Sequence, residues 1–139
     1  MALRFVDTNI FLRYLTRDDE AKAKRVLALL QRIERGEERV ETSLLTISEV
    51  IFTLQRYYHV PKARVRELLT PVIALRGLHL PEKQRCLAAL DLYVDQNISF
   101  VDAYHAVLLK ARGTAEIYSW DTDFDNLDWL TRVEPEEVS

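Results

Sequence analysis

Four acidic residues stand far apart in the chain, each close to the end of an apolar run. Asp7 follows a short run at residues 3–6 that is apolar except for Arg4, and Glu49, Asp102 and Asp121 come after later apolar segments. The carboxyl ends of parallel strands share one edge of an α/β sheet, so we expect these four carboxylates to meet there. Crowded carboxylates raise one another's pKa unless a divalent cation lies among them. The pattern therefore predicts an oxygen-liganded site for a hard metal ion.

Some of these acids also fit a purely structural role. Residues 46–49, TISE, and residues 99–102, SFVD, match a capping box, in which the last residue returns to the backbone of the first. Asp7 alone would fit a turn at the end of a strand. The helix dipole holds an acid of the first turn ionised, so capping and metal binding need not exclude each other.

Asp121, Asp123 and Asp125 alternate along the chain in a pattern that suggests a calcium loop. No glycine follows at the required turn and no glutamate closes the loop, which argues against calcium. We expect Asp121 to face the pocket and Asp123 to cap a short helical turn around Phe124. A role as an additional or water-mediated ligand is the alternative for Asp123. Asp125 is expected to be solvated.

Helix and strand signals alternate along the chain. Apolar residues at helical spacing predict helices, and short apolar runs predict strands. The predicted strands are residues 5–6, 40–43, 78–80, 117–119 and 130–133. The predicted helices begin at Ile10 and cover residues 20–35, 46–58, 84–95 and 102–112, with a further helix from Pro61 that Pro71 kinks or divides. This order predicts an α/β fold, a three-layer α/β/α sandwich around a mainly parallel sheet of about four or five strands.

Bulk composition narrows the class of protein. A length of 139 residues suits one domain, residues 1–139, with a proper hydrophobic core. The net charge of −3 alone argues against a nucleic-acid partner, but removing four metal-neutralised acids from the 22 leaves 19 basic against 18 acidic residues, or +1. No run is long enough for a signal peptide or membrane span, so we expect a cytoplasmic protein without membrane contact. The single cysteine, Cys86, excludes an internal disulfide and is expected in the core.

Four short segments together resemble a known family. They are FVDTNI at residues 5–10, TISEV at 46–50, SFVDAYHA at 99–106 and SWDTDF at 119–124. In this order, and in a chain of this size, they resemble the PIN-domain nucleases, and among these the VapC-type toxins of prokaryotic toxin–antitoxin pairs. The resemblance covers nearly the whole chain and maps the family's acidic quartet onto Asp7, Glu49, Asp102 and Asp121.

The resemblance implies a metal-dependent endoribonuclease that a cognate antitoxin protein holds inactive. One or two Mg²⁺ or Mn²⁺ ions, about 4 Å apart when both are bound, would acidify a water for attack on an RNA phosphodiester and stabilise the charge of the transition state. Ser119 stands where the family commonly has threonine. Because the hydroxyl is kept, we expect its local orienting role to be kept. Asn9 could hold a metal-bound water or a neighbouring carboxylate, or equally serve as a turn or helix cap.

Several further residues could contact an RNA substrate. Arg13 and Arg17 are the best basic candidates for the RNA backbone because they lie nearest in sequence to Asp7. His105, one helical turn after Asp102, could approach the substrate, although packing or capping is the expected role of a lone histidine. Trp120 offers a ring on which an RNA base could stack, with packing in the core as the expected role.

Large apolar groups are frequent from Phe52 through Tyr57 and Tyr58 to Leu75, a stretch that either packs in the core or forms a homodimer or partner surface.

Other functions compete with the nuclease. An aspartyl-phosphate phosphatase or a receiver domain also has an acid after its first strand, but the phosphatase needs an acid where Asn9 stands, and no suitably placed late lysine supports the receiver. A further alternative is a PIN-fold module that binds without cleaving. Such a module would not need all four acids, so their presence argues against it. A solitary RNA-processing nuclease would lack the antitoxin.

Overall fold

A computed structural model of the chain describes residues 2–136. Its contacts divide the chain between Leu87 and Ala88 into two compact units, the amino-terminal and the carboxyl-terminal unit. Within the described residues the elements follow the order β1 Arg4–Phe5, α1 Thr8–Thr16, α2 Glu20–Glu34, β2 Val40–Glu41, α3 Leu44–Arg56, α4 Lys62–Ile73, β3 Leu78–His79, α5 Lys83–Asp95, α6 Phe100–Ala111, β4 Glu116–Tyr118, a 3-10 helix Thr122–Asn126, and β5 Thr131–Val133.

A parallel sheet of order β1-β2-β3 organises the amino-terminal unit. Arg4 pairs with Val40, and Val40 pairs in turn with Leu78. Parallel neighbours need long crossover connections, and the helices α1 and α2, then α3 and α4, supply them. The carboxyl ends of β1 and β2 therefore lie at one edge, which is where the chain continues into α1 and α3.

The core of the amino-terminal unit comes from helix faces whose apolar residues recur every three or four positions. On α2 the buried residues are Ala23, Val26, Leu30 and Ile33, and on α3 they include Ile47, Val50, Ile51 and Leu54. Burying each large aliphatic side chain contributes about 1.5–3 kcal/mol, so these two stripes fix the helices against the sheet. The predicted core position of Cys86 is confirmed, and burial raises the pKa of its thiol to about 12.

A second parallel pair, β4 with β5, organises the carboxyl-terminal unit. Glu116 pairs with Thr131 and Tyr118 with Val133, and the 3-10 helix lies in the connection between the two strands. In the core of this unit Tyr93 and Phe100 meet edge to face, with ring centroids 6.4 Å apart. The short connection holds the 3-10 helix close to the end of β4.

The predicted α/β class with parallel strand pairing is confirmed. The described residues contain five strands, as predicted, but hydrogen bonds join them as a sheet of three and a sheet of two. The predicted helix over residues 20–35 is also confirmed, with Asp19 as its cap and Gly36 in a left-handed conformation just beyond it. Among residues 2–136, no helix combines the length and the apolar character that crossing a bilayer requires.

Several predicted boundaries were wrong for identifiable reasons. The first helix begins at Thr8 rather than Ile10, because Asp7 caps it. The third begins at Leu44 rather than Thr46, because Ser43 is its cap. The sixth helix begins at Phe100 rather than Asp102, because Ser99 is its cap. Pro61 lies just before α4, as its cap residue, and that helix runs through Pro71 without dividing.

Candidate active site

Asp7 lies at the junction between β1 and α1. Its extended backbone makes it the N-cap of α1, and its exposed carboxylate accepts a hydrogen bond from the Thr8 backbone amide at 2.8 Å. One residue earlier, the Val6 carbonyl accepts a 2.8 Å hydrogen bond from the buried Thr42 hydroxyl, which follows β2. The two strand ends are therefore tied together at the point where Asp7 leaves the sheet.

Glu49 lies in the second turn of α3 and has an exposed side chain. The predicted capping box at residues 46–49 was wrong, because the cap is Ser43, whose hydroxyl accepts from the Thr46 amide at 3.2 Å. The Glu49 carboxylate instead accepts a 3.1 Å hydrogen bond from the Thr8 hydroxyl. Thr8 thus bonds to both acids of the amino-terminal unit, through its amide to Asp7 and through its hydroxyl to Glu49.

Asp102 lies in the first turn of α6. The Ser99 hydroxyl accepts a hydrogen bond from the Asp102 amide at 3.1 Å, so the predicted cap at this helix start is confirmed. The Asp102 side chain is half-buried. His105, one turn further along, is exposed.

Asp121 follows β4 and caps the 3-10 helix, accepting a 2.9 Å hydrogen bond from the Asp123 amide. The prediction that Asp123 is the cap was therefore wrong, since Asp121 takes that position. The Ser119 hydroxyl accepts from the Asp121 amide at 2.9 Å, which gives Ser119 the local contact expected of an orienting residue.

Arg132 holds the same segment from the neighbouring strand β5. It donates to the Ser119 carbonyl at 3.1 Å and forms ion pairs with Asp125 at 3.1 Å and with Glu134 at 2.7 Å. Asp125 is exposed, as predicted, and its carboxylate also pairs with the half-buried Arg132 side chain. Arg132 therefore links β5 to both ends of the segment that carries Asp121.

Asp102, Asp121 and Asp123 form a cluster in the carboxyl-terminal unit. Each offers a carboxylate oxygen, and the three oxygens lie within 4.8 Å of one another. Burial first, and then the neighbouring carboxylate of Asp121, raise the pKa of Asp102, because both disfavour its charged form. Carboxylate oxygens are the ligands that Mg²⁺ and Mn²⁺ prefer, so the donor set and its spacing fit one such cation.

Asn9 and Arg13 line a cleft of about 650 Å³ formed by residues of α1 and α2. The cleft also carries Lys22, Arg25 and Arg32, and no acidic residue lines it within the described chain. Asn9 lies in the first turn of α1, so it is not the helix cap. Arg17 lies outside the cleft at the exposed end of α1, in a left-handed conformation.

Trp120, directly before Asp121, is 70% exposed, so its expected packing in the core was wrong. In the stretch from Phe52 to Leu75, core packing is confirmed for part of the residues, and a homodimer or partner surface stays a prediction. Aliphatic residues such as Leu54 and Leu69 are buried, whereas Phe52 and Tyr57 are exposed.

The structure brings the predicted acids together as two groups. Asp7 and Glu49 share Thr8 in the amino-terminal unit, and Asp102 and Asp121 cluster with Asp123 in the other. Convergence of all four on one ion stays a prediction. Thr8 and Arg132 are the site residues that sequence reasoning missed. The signal for Thr8 was a hydroxyl beside Asp7 in the first helical turn, and Arg132 left no signal because its bonds depend on strand pairing.

Comparison with known proteins agrees with this geometry. A search of curated proteins finds no match. The family model of the PIN domain matches residues 4–130, which is nearly the whole chain of 139 residues. PIN domains are typically metal-dependent nucleases, and the cluster of Asp102, Asp121 and Asp123 is compatible with that activity. The chain belongs to the PIN domain family.

Proposed function

We propose that this protein is a metal-dependent endoribonuclease and the toxin of a toxin–antitoxin pair, acting in the cytoplasm with Mg²⁺ or Mn²⁺. One observation carries the nuclease part of the proposal, and the toxin part rests on the resemblance of the four sequence segments to VapC-type toxins. Three carboxylate oxygens lie within 4.8 Å of one another in a chain that belongs to the PIN domain family. Such a donor set can hold a divalent cation, which suits a reaction in which phosphate charge must be neutralised.

The carboxyl-terminal unit would hold the cation through Asp102, Asp121 and Asp123. A bound Mg²⁺ or Mn²⁺ supplies two things, an acidified water and positive charge at the scissile phosphate. The chain's own residues supply position. Ser119 fixes the backbone of Asp121, and Asp121 fixes that of Asp123, through hydrogen bonds of 2.9 Å each.

The amino-terminal unit would contribute Asp7 and Glu49 to the same reaction. Thr8 bonds to both carboxylates, which limits the conformations that each can adopt. Side chains held in this way can orient a water or a phosphate without reorganising during the reaction. We therefore propose that the reaction requires all four acids, Asp7, Glu49, Asp102 and Asp121.

The basic cleft on α1 and α2 would bind the RNA backbone. Arg13 lines it together with Lys22, Arg25 and Arg32, and Asn9 lines it two residues beyond Asp7. Neither Lys22 nor Arg25 has a carboxylate within ion-pair distance in the part of the chain that the structure describes. Each phosphate contact made by such side chains adds affinity that falls as salt rises.

Cleavage of a mixed RNA pool tests the nuclease proposal. We expect fragments with Mg²⁺ or Mn²⁺, none with EDTA, and at least about 100-fold slower cleavage for Asp7→Asn and Asp121→Asn. Asp128→Asn is the matched control, because it removes an exposed carboxylate outside the cluster. Retained activity in Asp7→Asn, or cleavage of a DNA pool and not of RNA, would contradict the proposal. A folded chain that binds RNA and never cuts it would be a non-cleaving module.

Expression in a bacterial host tests the toxin role. We expect induction of the wild-type chain to arrest growth, Asp7→Asn to leave growth unaffected, and co-expression of the gene immediately upstream to relieve the arrest. Cleavage in vitro without growth arrest would identify a solitary RNA-processing nuclease and reject the toxin role. The mass of the purified protein in solution tests the predicted homodimer.

A further inference from the structure

Two aromatic rings lie beside the acidic cluster and face solvent. Tyr118 is 75% exposed and Trp120 is 70% exposed, whereas Tyr93 in the core of the same unit is 0% exposed. Exposure of two large rings within three residues leaves apolar area in water at a cost of about 25 cal/mol per Å². Neighbouring rings of this kind are typical of a surface that binds a partner.

The backbone that carries these rings is held at several points. The Ser119 amide donates to the Val133 carbonyl at 3.0 Å, and the Ser119 carbonyl accepts from Arg132 at 3.1 Å. The Ser119 hydroxyl accepts from the Asp121 amide at 2.9 Å. Because Ser119 continues the pairing of β4 with β5, we expect residues 118 and 120 on one face of this ribbon. The rings are therefore presented by a fixed segment.

Exposed apolar groups are concentrated in sequence around the acids. Within the described residues, eight large hydrophobic residues are exposed, and six of them lie within four positions of a proposed catalytic acid. Those six are Phe5, Leu45, Phe52, Val101, Tyr118 and Trp120. The exposure of ordinary surface residues should not depend on how near they lie to these acids in the sequence. The concentration of exposed apolar residues near the acids therefore indicates that the ligand of the acids also has apolar faces.

We propose that Tyr118 and Trp120 bind an unpaired base of a single-stranded RNA beside the phosphate that the acids cleave, an inference that rests on the proposed nuclease function. Residues two apart on a strand are about 6.6 Å apart, roughly twice the spacing of stacked bases, so one base fits between the two rings. Bases inside an A-form duplex are already stacked and cannot reach such rings.

An uncharged contact is what this position requires. Asp121 and Asp123 are acidic and the phosphate backbone is anionic, so charge alone repels RNA from this face unless a cation is bound. Stacking needs no charge and tolerates every base, because each base has an aromatic face. A hydrophobic protein partner is the competing occupant, and it would not distinguish single-stranded from duplex RNA.

Intrinsic fluorescence offers a direct test, because Trp120 and Trp129 are the two tryptophans of the chain. Substituting Trp129→Phe in an Asp7→Asn background leaves Trp120 as the reporter in a protein that does not cut. With Mg²⁺, we expect oligouridylate to quench this fluorescence saturably and the same strand in an A·U duplex to leave it unchanged. The outcome that overturns the proposal is quenching by both, or by neither.

Affinity and turnover complete the test. In the Asp7→Asn background we expect Trp120→Ala to weaken labelled oligouridylate binding by roughly 5- to 150-fold, the range for stacking of one base, and Trp120→Phe to restore most of it. Tyr57→Ala is the matched control, because it removes a ring that is 74% exposed and lies at the end of α3. Equal affinity in Trp120→Ala and its parent would overturn the proposal.

The two proposals fail in different ways. If the wild-type chain cuts no RNA while Trp120 is still quenched by single strands, the nuclease function fails and the stacking surface stands. If the wild-type chain cuts RNA with Mg²⁺ and Trp120→Ala does so with unchanged kcat and KM, the stacking surface fails and the nuclease stands.

Discussion

The two units hold their acids in opposite ways. In the amino-terminal unit, Asp7 and Glu49 each accept a hydrogen bond from Thr8, an uncharged residue that is 7% exposed. In the carboxyl-terminal unit, three carboxylates lie within 4.8 Å of one another, and burial with the nearby Asp121 raises the pKa of Asp102. One pair is positioned by donors, and the other group is crowded by like charges.

This difference indicates where a cation should act. A cation relieves repulsion only where carboxylates are crowded, so its stabilising effect should arise mainly in the carboxyl-terminal unit. A ligand that binds only the folded state stabilises it by about 2.7 kcal/mol when its concentration is 100 times its dissociation constant. The amino-terminal acids should instead depend on the hydrogen bonds of Thr8. Each half of the comparison can be tested separately.

The largest effect is expected for the acids themselves. Asp121→Asn and Asp7→Asn should each slow RNA cleavage by more than about 100-fold, beyond the usual cost of losing an outer partner of a metal ligand. Thermal unfolding should separate them. After EDTA treatment, added Mn²⁺ should raise the Tm of wild type and of Asp7→Asn, and should leave the Tm of Asp121→Asn nearly unchanged. Equal loss of the Mn²⁺ effect in both variants would show that the two groups of acids hold the cation jointly.

Thr8→Val should have the next largest effect. Valine keeps the shape and loses the hydroxyl that donates to Glu49 at 3.1 Å, so we expect cleavage to fall by roughly 10- to 100-fold. Glu49 is exposed and can be solvated instead, so the Tm should change little. Thr8→Ser keeps the hydroxyl and should retain most of the activity. Wild-type rates in Thr8→Val would show that Glu49 needs no positioning.

The sequence predicted the features that depend on local patterns. Periodic apolar residues placed α2 within one residue of its observed end, and the Ser99 hydroxyl caps α6 as the local motif indicated. The acids were identified because each follows an apolar run, a signal carried within a few residues. Caps and periodicity are properties of neighbouring residues, so a single sequence is enough to find them.

Features that depend on distant residues were not predictable in the same way. The bond from Thr8 to Glu49 spans 41 positions, and that from Arg132 to Ser119 spans 13. The choice between two possible caps of α3 was also not predictable from the local sequence. Ser43 and Thr46 both favour a helix start, and the helix begins at the earlier one, which buries Ile47 and Thr46. Trp120 was misjudged because large rings are usually buried.

Arg132→Gln tests whether the crowded acids also need positioning. The substitution removes the ion pairs to Asp125 and Glu134 and weakens the hydrogen bond to the Ser119 carbonyl. We expect cleavage to fall by about 10-fold and the Tm to decrease. Arg64→Gln is the matched control, because Arg64 forms a 2.9 Å pair with Glu67 on the exposed face of α4, and such pairs contribute little. Equal rates in the two variants would show that crowding alone suffices.

The smallest expected effect is a pH dependence of the cation-free protein. The folded state raises the pKa of Asp102 above its ordinary value of 3.8, so between those two values the folded chain binds more protons than the unfolded chain. The contribution of Asp102 to stability therefore falls as pH rises through that window.

Asp102→Asn removes this contribution, because asparagine does not titrate. In urea unfolding with EDTA, the unfolding midpoint of the variant should rise relative to that of wild type as pH increases from below 3.8 to neutral. A gap between the two unfolding midpoints that does not change with pH would mean that the crowding is relaxed in solution. Excess Mg²⁺ should stabilise wild type more than the variant at neutral pH, because only the wild-type side chain at position 102 is a carboxylate that can bind it.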